Sequence, residues 1–167
     1  MSQPRLAIIG GGISGLVLAM ALHDKGIRSQ IYEQAAHFGE IGAGVAFGAN
    51  AIRAMRYCSP KVEEAFQAVA TGNGFGRDER GMLKWFDFVD GYNDDPSAPQ
   101  QEKLLFDLMT TERGGVHRAH FLDELIKHAP KDLAHFGKHL EDIQEQSDGT
   151  LRMTFFDGST ADADASK

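Results

Sequence analysis

The chain has 167 residues, 42% of them hydrophobic and 25% charged, enough for one domain with a sizeable core. A net charge of −7 and the lack of a basic stripe exclude the electrostatic footprint of a nucleic-acid binder. The single cysteine, Cys58, excludes an internal disulfide, fits a reducing compartment, and reads as a small apolar residue on a helix.

Residues 6–9 (Leu-Ala-Ile-Ile) form a short continuous apolar run ended by glycine, as expected of a strand buried on both faces. From 13 to 25 the apolar spacing turns helical, with Leu16, Ala19, Met20 and His23 on one face and Leu18 and Leu22 on its flank. Gly26 stands where a helix C-cap glycine belongs, and residues 27–33 read as a second, parallel strand reached by a right-handed crossover. The apolar run from 6 to 22 has four glycines within its first ten residues and no cleavage site, so it is read as strand and helix, not as a signal or membrane segment. No targeting signal is seen, and the expected setting is cytoplasmic, away from membranes.

Gly10-Gly11-Gly12-Ile13-Ser14-Gly15 satisfies G-x-G-x-x-G after a strand and at the start of a helix. Gly10 suits the tight turn, Gly12 the close approach of a pyrophosphate, and Gly15 the packing of helix on strand. The helix N-terminus adds N–H donors and the positive end of its dipole. Glu33, ending the second strand, is placed to accept hydrogen bonds from a ribose diol and to repel a 2′-phosphate. Ser29, at an expected apolar position, departs mildly from the pattern. These residues point to a dinucleotide site and exclude NADP from it; NAD and FAD both remain open.

Residues 39–48 are again glycine-rich, which suits backbone running close to a ligand or another backbone. Residues 50–57 and 61–70 read as helices separated at Ser59-Pro60, and 71–76 as a loop. Residues 83–89 and 104–109 have strand content and flank a polar surface loop. Residues 118–128 read as an amphipathic helix with Phe121, Leu122, Leu125 and Ile126 inward. After Pro130 an antiparallel meander is expected, turned at Asp148-Gly149 and Asp157-Gly158, and residues 160–167 read as a small polar and alanine tail.

Three stretches, 7–33, 39–45 and Gly115-Val116-His117-Arg118-Ala119, resemble the FAD-dependent aromatic-ring monooxygenases of the para-hydroxybenzoate hydroxylase fold, salicylate hydroxylase-like members above all. The resemblance implies an α/β fold: a Rossmann-like FAD-binding βαβ unit with additional helices, part of a substrate-side β-sheet and an antiparallel meander. It divides a single FAD-binding domain into a dinucleotide unit and glycine-rich loop (1–58), helices and partial substrate-side strands (59–112), an FAD-contacting arginine and helix (113–130) and the meander (131–167). Gly10, Gly12, Ser14 and Gly15 then hold the pyrophosphate and Glu33 the adenosine ribose. Gly42, Ala43, Gly44, Val45, Ala46 and Arg118 fall on the flavin side. A cation opening a helix opposes the dipole, which favours a ligand role for Arg118.

Family members use NAD(P)H as co-substrate, molecular oxygen, and a small phenolic or aromatic acid substrate that they hydroxylate. The family continues past the meander into further cofactor and substrate motifs, so the chain is expected to be an N-terminal portion, inactive alone and open to self-association. Two other readings stay open: an NAD-dependent dehydrogenase fragment, and a non-catalytic dinucleotide-binding or association module. His117 and His120, or His135 and His139, lack supporting ligands at matching spacing, so no metal site is expected. Asp87, Asp90, Asp94 and Asp95 read as solvated charge, and Trp85, Phe86 and Phe88 as packing of a half-buried strand. No residue is assigned a catalytic role.

Overall fold

The computed structural model describes residues 4–39, 43–91 and 103–167. Gly42, with Asp94 and Asp95, lies outside the described residues.

The first strand, β1 (Leu6–Ile9), runs into helix α1 (Ile13–Asp24) and returns as β2 (Ser29–Glu33), parallel to β1 with Leu6 opposite Ser29 and Ile9 opposite Tyr32. The strand alternation divides the core in two. Ile8 and Ile31 face the helices, joining Leu16, Ala19 and Met20 of α1 in one large buried cluster. Ala7, Ile9 and Tyr32 face the other way, against Met153, Phe155 and Ala163. A run buried on both faces is therefore apolar throughout, as its sequence indicated. His23, placed inward by spacing, is instead exposed near the end of α1; at that end its imidazole reaches solvent past the packed turns.

After β3 (Gly44–Gly48) come α2 (Ala49–Cys58) and α3 (Pro60–Val69). Ser59 ends one helix and begins the next, and Pro60 occupies the first turn of α3, where its missing N–H is harmless. The Ser59 hydroxyl donates to Asp24 at the end of α1, fastening the helix junction to the dinucleotide unit. Strands β4 (Leu83–Asp90) and β5 (Lys103–Thr110) pair antiparallel, with Lys84 bridging Asp87 and Asp107. Phe86 and Phe88 are exposed while Trp85 is partly buried, so only part of this aromatic strand is packed.

Several strands depart from the sequence expectation, β3 among them, in a stretch that reads from sequence as a glycine-rich loop. Residues 113–117 form β6 (Arg113–His117), antiparallel to β3, where no strand was expected; two central glycines hide it, and the pairing with β3 imposes it. After α4 (Arg118–His128), β7 (Ala134–Phe136) does not open the meander but lies parallel to β2. The meander itself is β8 (Leu140–Glu145), β9 (Leu151–Phe155) and β10 (Thr160–Ala163), in the order β10-β9-β8. Gly149 and Gly158 turn it at φ of 81° and 78°, as Asp-Gly turns require. The tail is not featureless: β10 uses its first residues, and β11 (Ala165–Ser166) lies parallel to β1, giving a sheet in the order β11-β1-β2-β7.

The meander is tied at its last turn by Asp157, which accepts from the Lys138 ammonium at 2.6 Å and from the Ser159 hydroxyl and N–H at 2.6 and 2.9 Å. The ammonium first, then the serine donors, hold its carboxyl below the usual carboxylate range. A depressed folded-state value means the stabilisation is present above the unfolded pKa, about 4, and is lost as pH falls through the lower folded value. The melting-temperature gap between the native chain and Asp157→Asn is therefore expected to be widest near neutrality. It should narrow steadily below about pH 4 in a series of thermal melts.

Candidate functional site

The glycine loop sits at the C-terminal ends of β1 and β2, where ligands of open parallel sheets bind. Gly10 has φ of 101°, the sharp turn out of β1, and its N–H donates to the Tyr32 carbonyl at 2.9 Å. A Cβ on Gly15 would lie 2.1 Å from the Gly10 carbonyl oxygen, so only glycine lets α1 start this close to the strand. Gly12, extended at φ −70° and ψ −178°, is the N-cap of α1 and brings no side-chain cap to its orphan N–H groups. Those donors face a cleft of about 400 Å³ lined by Gly10, Gly12, Ile13, Ser14 and Gly15 on one side and by Val45, Phe47 and Arg118 on the other.

Arg118 reaches this cleft because β6 delivers it there. β6 pairs with β3 so that Gly44 stands opposite His117, and the Arg118 N–H donates to the Ala43 carbonyl at 2.9 Å. The helix begun by Arg118 and the helix begun after Gly12 thus contribute their N-terminal residues to one space. Backbone donors, an aligned dipole and a guanidinium together favour an anion with several oxygens. No shorter-range signal announces this meeting; it depends on the β3–β6 register.

Glu33 lines an adjoining cleft of about 350 Å³ with Ile9, Gly10, Tyr32, Gln34, Lys138, His139 and Leu140. Its carboxylate accepts from the Gly11 N–H at 2.6 Å and from the Ala35 N–H at 2.8 Å. Each oxygen keeps acceptor capacity for a diol, since a carboxylate offers about four lone-pair sites. Glu33 therefore also fixes the glycine loop to the end of β2, which the sequence did not reveal. Lys138 and His139 were missed as well; the Lys138 N–H donates to the Glu33 carbonyl at 2.8 Å, so their place follows from the β7–β8 connection.

The residues picked from sequence thus divide among three places. Gly10, Gly12, Ser14, Gly15, Val45 and Arg118 share the first cleft, and Glu33 stands in the second, which shares Ile9 and Gly10 with the first. Ala46 lies on the opposite face of β3, as alternation requires, in a third cleft with Trp85 and Arg113. Ala43 and Gly44 lie beside Arg118 and His117 through the backbone. The His117 and His120 rings pack 4.4 Å apart, and His135 stacks on Tyr32 at 5.1 Å.

The fold and these clefts define a Rossmann-like α/β unit. A family profile described as an NAD(P)-binding Rossmann-like domain matches residues 8–67. Over 98% of its length the chain is 46% identical to the FAD-dependent monooxygenase pigN of Monascus ruber, covering 36% of that protein. It is 45% identical to the 6-methylsalicylate 1-monooxygenase atA of Aspergillus terreus over 95% of this chain and 35% of the relative. It is 36% identical to the salicylate hydroxylase asL1 of Sarocladium schorii over 96% of this chain and 33% of the relative. The chain spans about a third of the length of these curated relatives. Among solved structures, HpxO of Klebsiella pneumoniae, complexed with FAD and uric acid, superposes with a TM-score of 0.68 at 22% identity, over 98% of this chain and 38% of that one. The likeness in sequence is therefore to proteins named as FAD-dependent monooxygenases, and the likeness in fold is to a structure complexed with FAD.

Proposed function

We propose that the chain is the FAD-holding segment of an NAD(P)H-dependent flavin monooxygenase that hydroxylates a phenolic or aromatic acid substrate. The observation that carries this reading is the cleft that the capless N-terminus of α1 shares with Arg118 and with Val45 and Phe47 of β3. Its donor set and its glycine packing fit a pyrophosphate. Gly10, Gly12, Ser14 and Gly15 would hold that group, with Arg118 neutralising it from the opposite wall. Glu33 would accept the adenosine ribose hydroxyls, and its charge disfavours a 2′-phosphate. Ala43, Gly44 and Val45 would carry the backbone past the flavin end, with Ala46 on the far face of that strand.

Bound FAD would supply electron transfer from NAD(P)H and activation of molecular oxygen. The chain's own contribution is binding and orientation: a dipole and a guanidinium on the phosphates, and a fixed carboxylate on the ribose. Similarity to relatives named for FAD-dependent monooxygenation supports FAD over NAD, although the family profile itself is described by NAD(P).

Arg118→Gln tests the reading. A charge-assisted hydrogen bond contributes about 1.5–3 kcal/mol, so FAD affinity is expected to fall by roughly 10–100-fold while the circular dichroism spectrum stays unchanged. Titration of the folded variant with FAD, followed by flavin fluorescence, gives the answer. Unaltered affinity would remove Arg118 from the site.

A further inference from the structure

Gly11 is not one of the three glycines that the G-x-G-x-x-G pattern requires, yet it is buried and has no room for a side chain. A Cβ there would stand 2.7 Å from Cε1 and 3.1 Å from Cδ1 of Phe38, and 3.3 Å from Oε2 of Glu33. The residue is gripped twice. The Phe38 ring covers the place of its missing side chain, and the Glu33 carboxylate accepts from its N–H at 2.6 Å.

Phe38 is braced in turn. It is half-buried against the main core, and the Phe136 ring meets it edge to face at 4.8 Å. Phe136 ends β7, and the backbone leading from β2 to Phe38 is laced to the residues that follow it. The Gly137 N–H donates to the Ala35 carbonyl at 3.0 Å and the Lys138 N–H to the Glu33 carbonyl at 2.8 Å. Lys138, His139 and Leu140 then wall the Glu33 cleft. One ring therefore touches the glycine loop, which lines both clefts through Gly10, and the strand end that leads into the wall of the second. Phe38 is not among the residues lining either cleft, so whatever it does for a ligand it does through these neighbours.

We infer that Phe38 is a positioning residue for the dinucleotide. Acting through Gly11 and Phe136, its ring sets the glycine loop against the β7–β8 wall. The pyrophosphate donors and the Glu33 carboxylate are thereby held at the spacing that one ADP moiety needs. The inference rests on the proposed dinucleotide role of the two clefts. Its test uses ADP, the part that FAD and NAD share.

Gly11→Ala forces the ring or the loop to shift, and its affinity for ADP, read by isothermal titration calorimetry, is expected to fall at least about tenfold. Phe38→Leu leaves no atom where Cε1 stood and loosens the loop, which should weaken ADP binding by about threefold. The double variant decides. With the ring edge gone the added methyl has room, so the double variant should bind ADP about as Phe38→Leu does and more tightly than Gly11→Ala. A ring that served packing alone would change only melting temperatures and leave the ADP affinity of every folded variant as it was. Should Gly11→Ala fail to fold, Phe136→Leu removes the brace at a ring already 36% exposed and should weaken ADP binding by about threefold. Additive losses in the double variant, or unaltered ADP affinity in folded Phe38→Leu or Phe136→Leu, would overturn the inference. Titration of the native chain with FAD and NAD is read separately. FAD preference without the ADP pattern refutes the inference alone, and the ADP pattern without FAD preference refutes the proposed cofactor alone. A native chain that takes up neither ADP nor FAD refutes both.

Discussion

Gly15→Ala is expected to lower FAD affinity by about two orders of magnitude and to lower the melting temperature by roughly 6–12 °C. The added Cβ would stand 2.1 Å from the Gly10 oxygen, 3.2 Å from the Gly10 carbonyl carbon and 3.4 Å from Ile8 Cγ2. Two of these three neighbours are backbone, so no rotamer change relieves the contact. Either α1 moves away from β1 or the Gly10 turn opens. Overpacking of this kind costs about 1–3 kcal/mol, and at the upper end a chain of this size loses about 2–4 °C per kcal/mol. The displaced helix N-terminus no longer aims its N–H groups at the pyrophosphate, and each tenfold in affinity is about 1.4 kcal/mol. Thermal melts with and without FAD separate the two effects. A folded variant that binds FAD as the native chain does would show that the close packing of α1 has no part in the site.

Phe121→Ala is expected to cost about 3–5 kcal/mol, a fall of roughly 6–20 °C in melting temperature. Phe121 is fully buried and meets Phe47 and Phe66 edge to face at 5.9 and 5.8 Å, with Phe47 and Phe66 at 5.6 Å from each other. This three-ring contact joins α3, α4 and β3, and Phe47 also lines the anion cleft. Removing one ring leaves a cavity that its two partners cannot close without moving β3. FAD affinity should therefore fall together with stability. Phe156→Ala is the control: its ring is 76% exposed, and surface changes of this kind stay within about 0.5 kcal/mol. Equal melting temperatures for the two variants would contradict the placement of the core.

The opening βαβ unit was legible because every signal for it is local. An apolar run, a glycine turn, a helical spacing and a terminal acid lie within thirty-three residues and agree with one another. The helices α2, α3 and α4 were legible for the same reason, with Pro60 marking a start and Phe121, Leu122 and Leu125 spacing a buried face. What stayed hidden is long-range. Arg113-Gly-Gly-Val-His has weak strand propensity and becomes β6 only because β3 offers it a ladder. Ala165-Ser166 becomes β11 only because β1 presents a free edge. Ala134–Phe136 reads as the first arm of a meander, but packing against Ile31 and Tyr32 turns it parallel.

The candidate site divides along the same line. Gly10, Gly12, Gly15 and Glu33 could be picked from spacing, whereas the distance from Arg118 to them is set by pairing between residues about seventy positions apart in the chain. The second role of Glu33, accepting from the Gly11 N–H, is invisible in the sequence. So is the packing of Phe38 on Gly11, since the two stand far apart in the chain.

The central claim is that the paired clefts at the ends of β1 and β2 hold FAD. Its most direct test is equilibrium titration of the purified 167-residue chain with FAD, NAD and NADP under one set of conditions. FAD is expected to bind at least about 100-fold more tightly than NAD, with NADP weakest because Glu33 opposes its 2′-phosphate. NAD binding as tightly as FAD, or a folded chain that takes up no dinucleotide, would contradict the account.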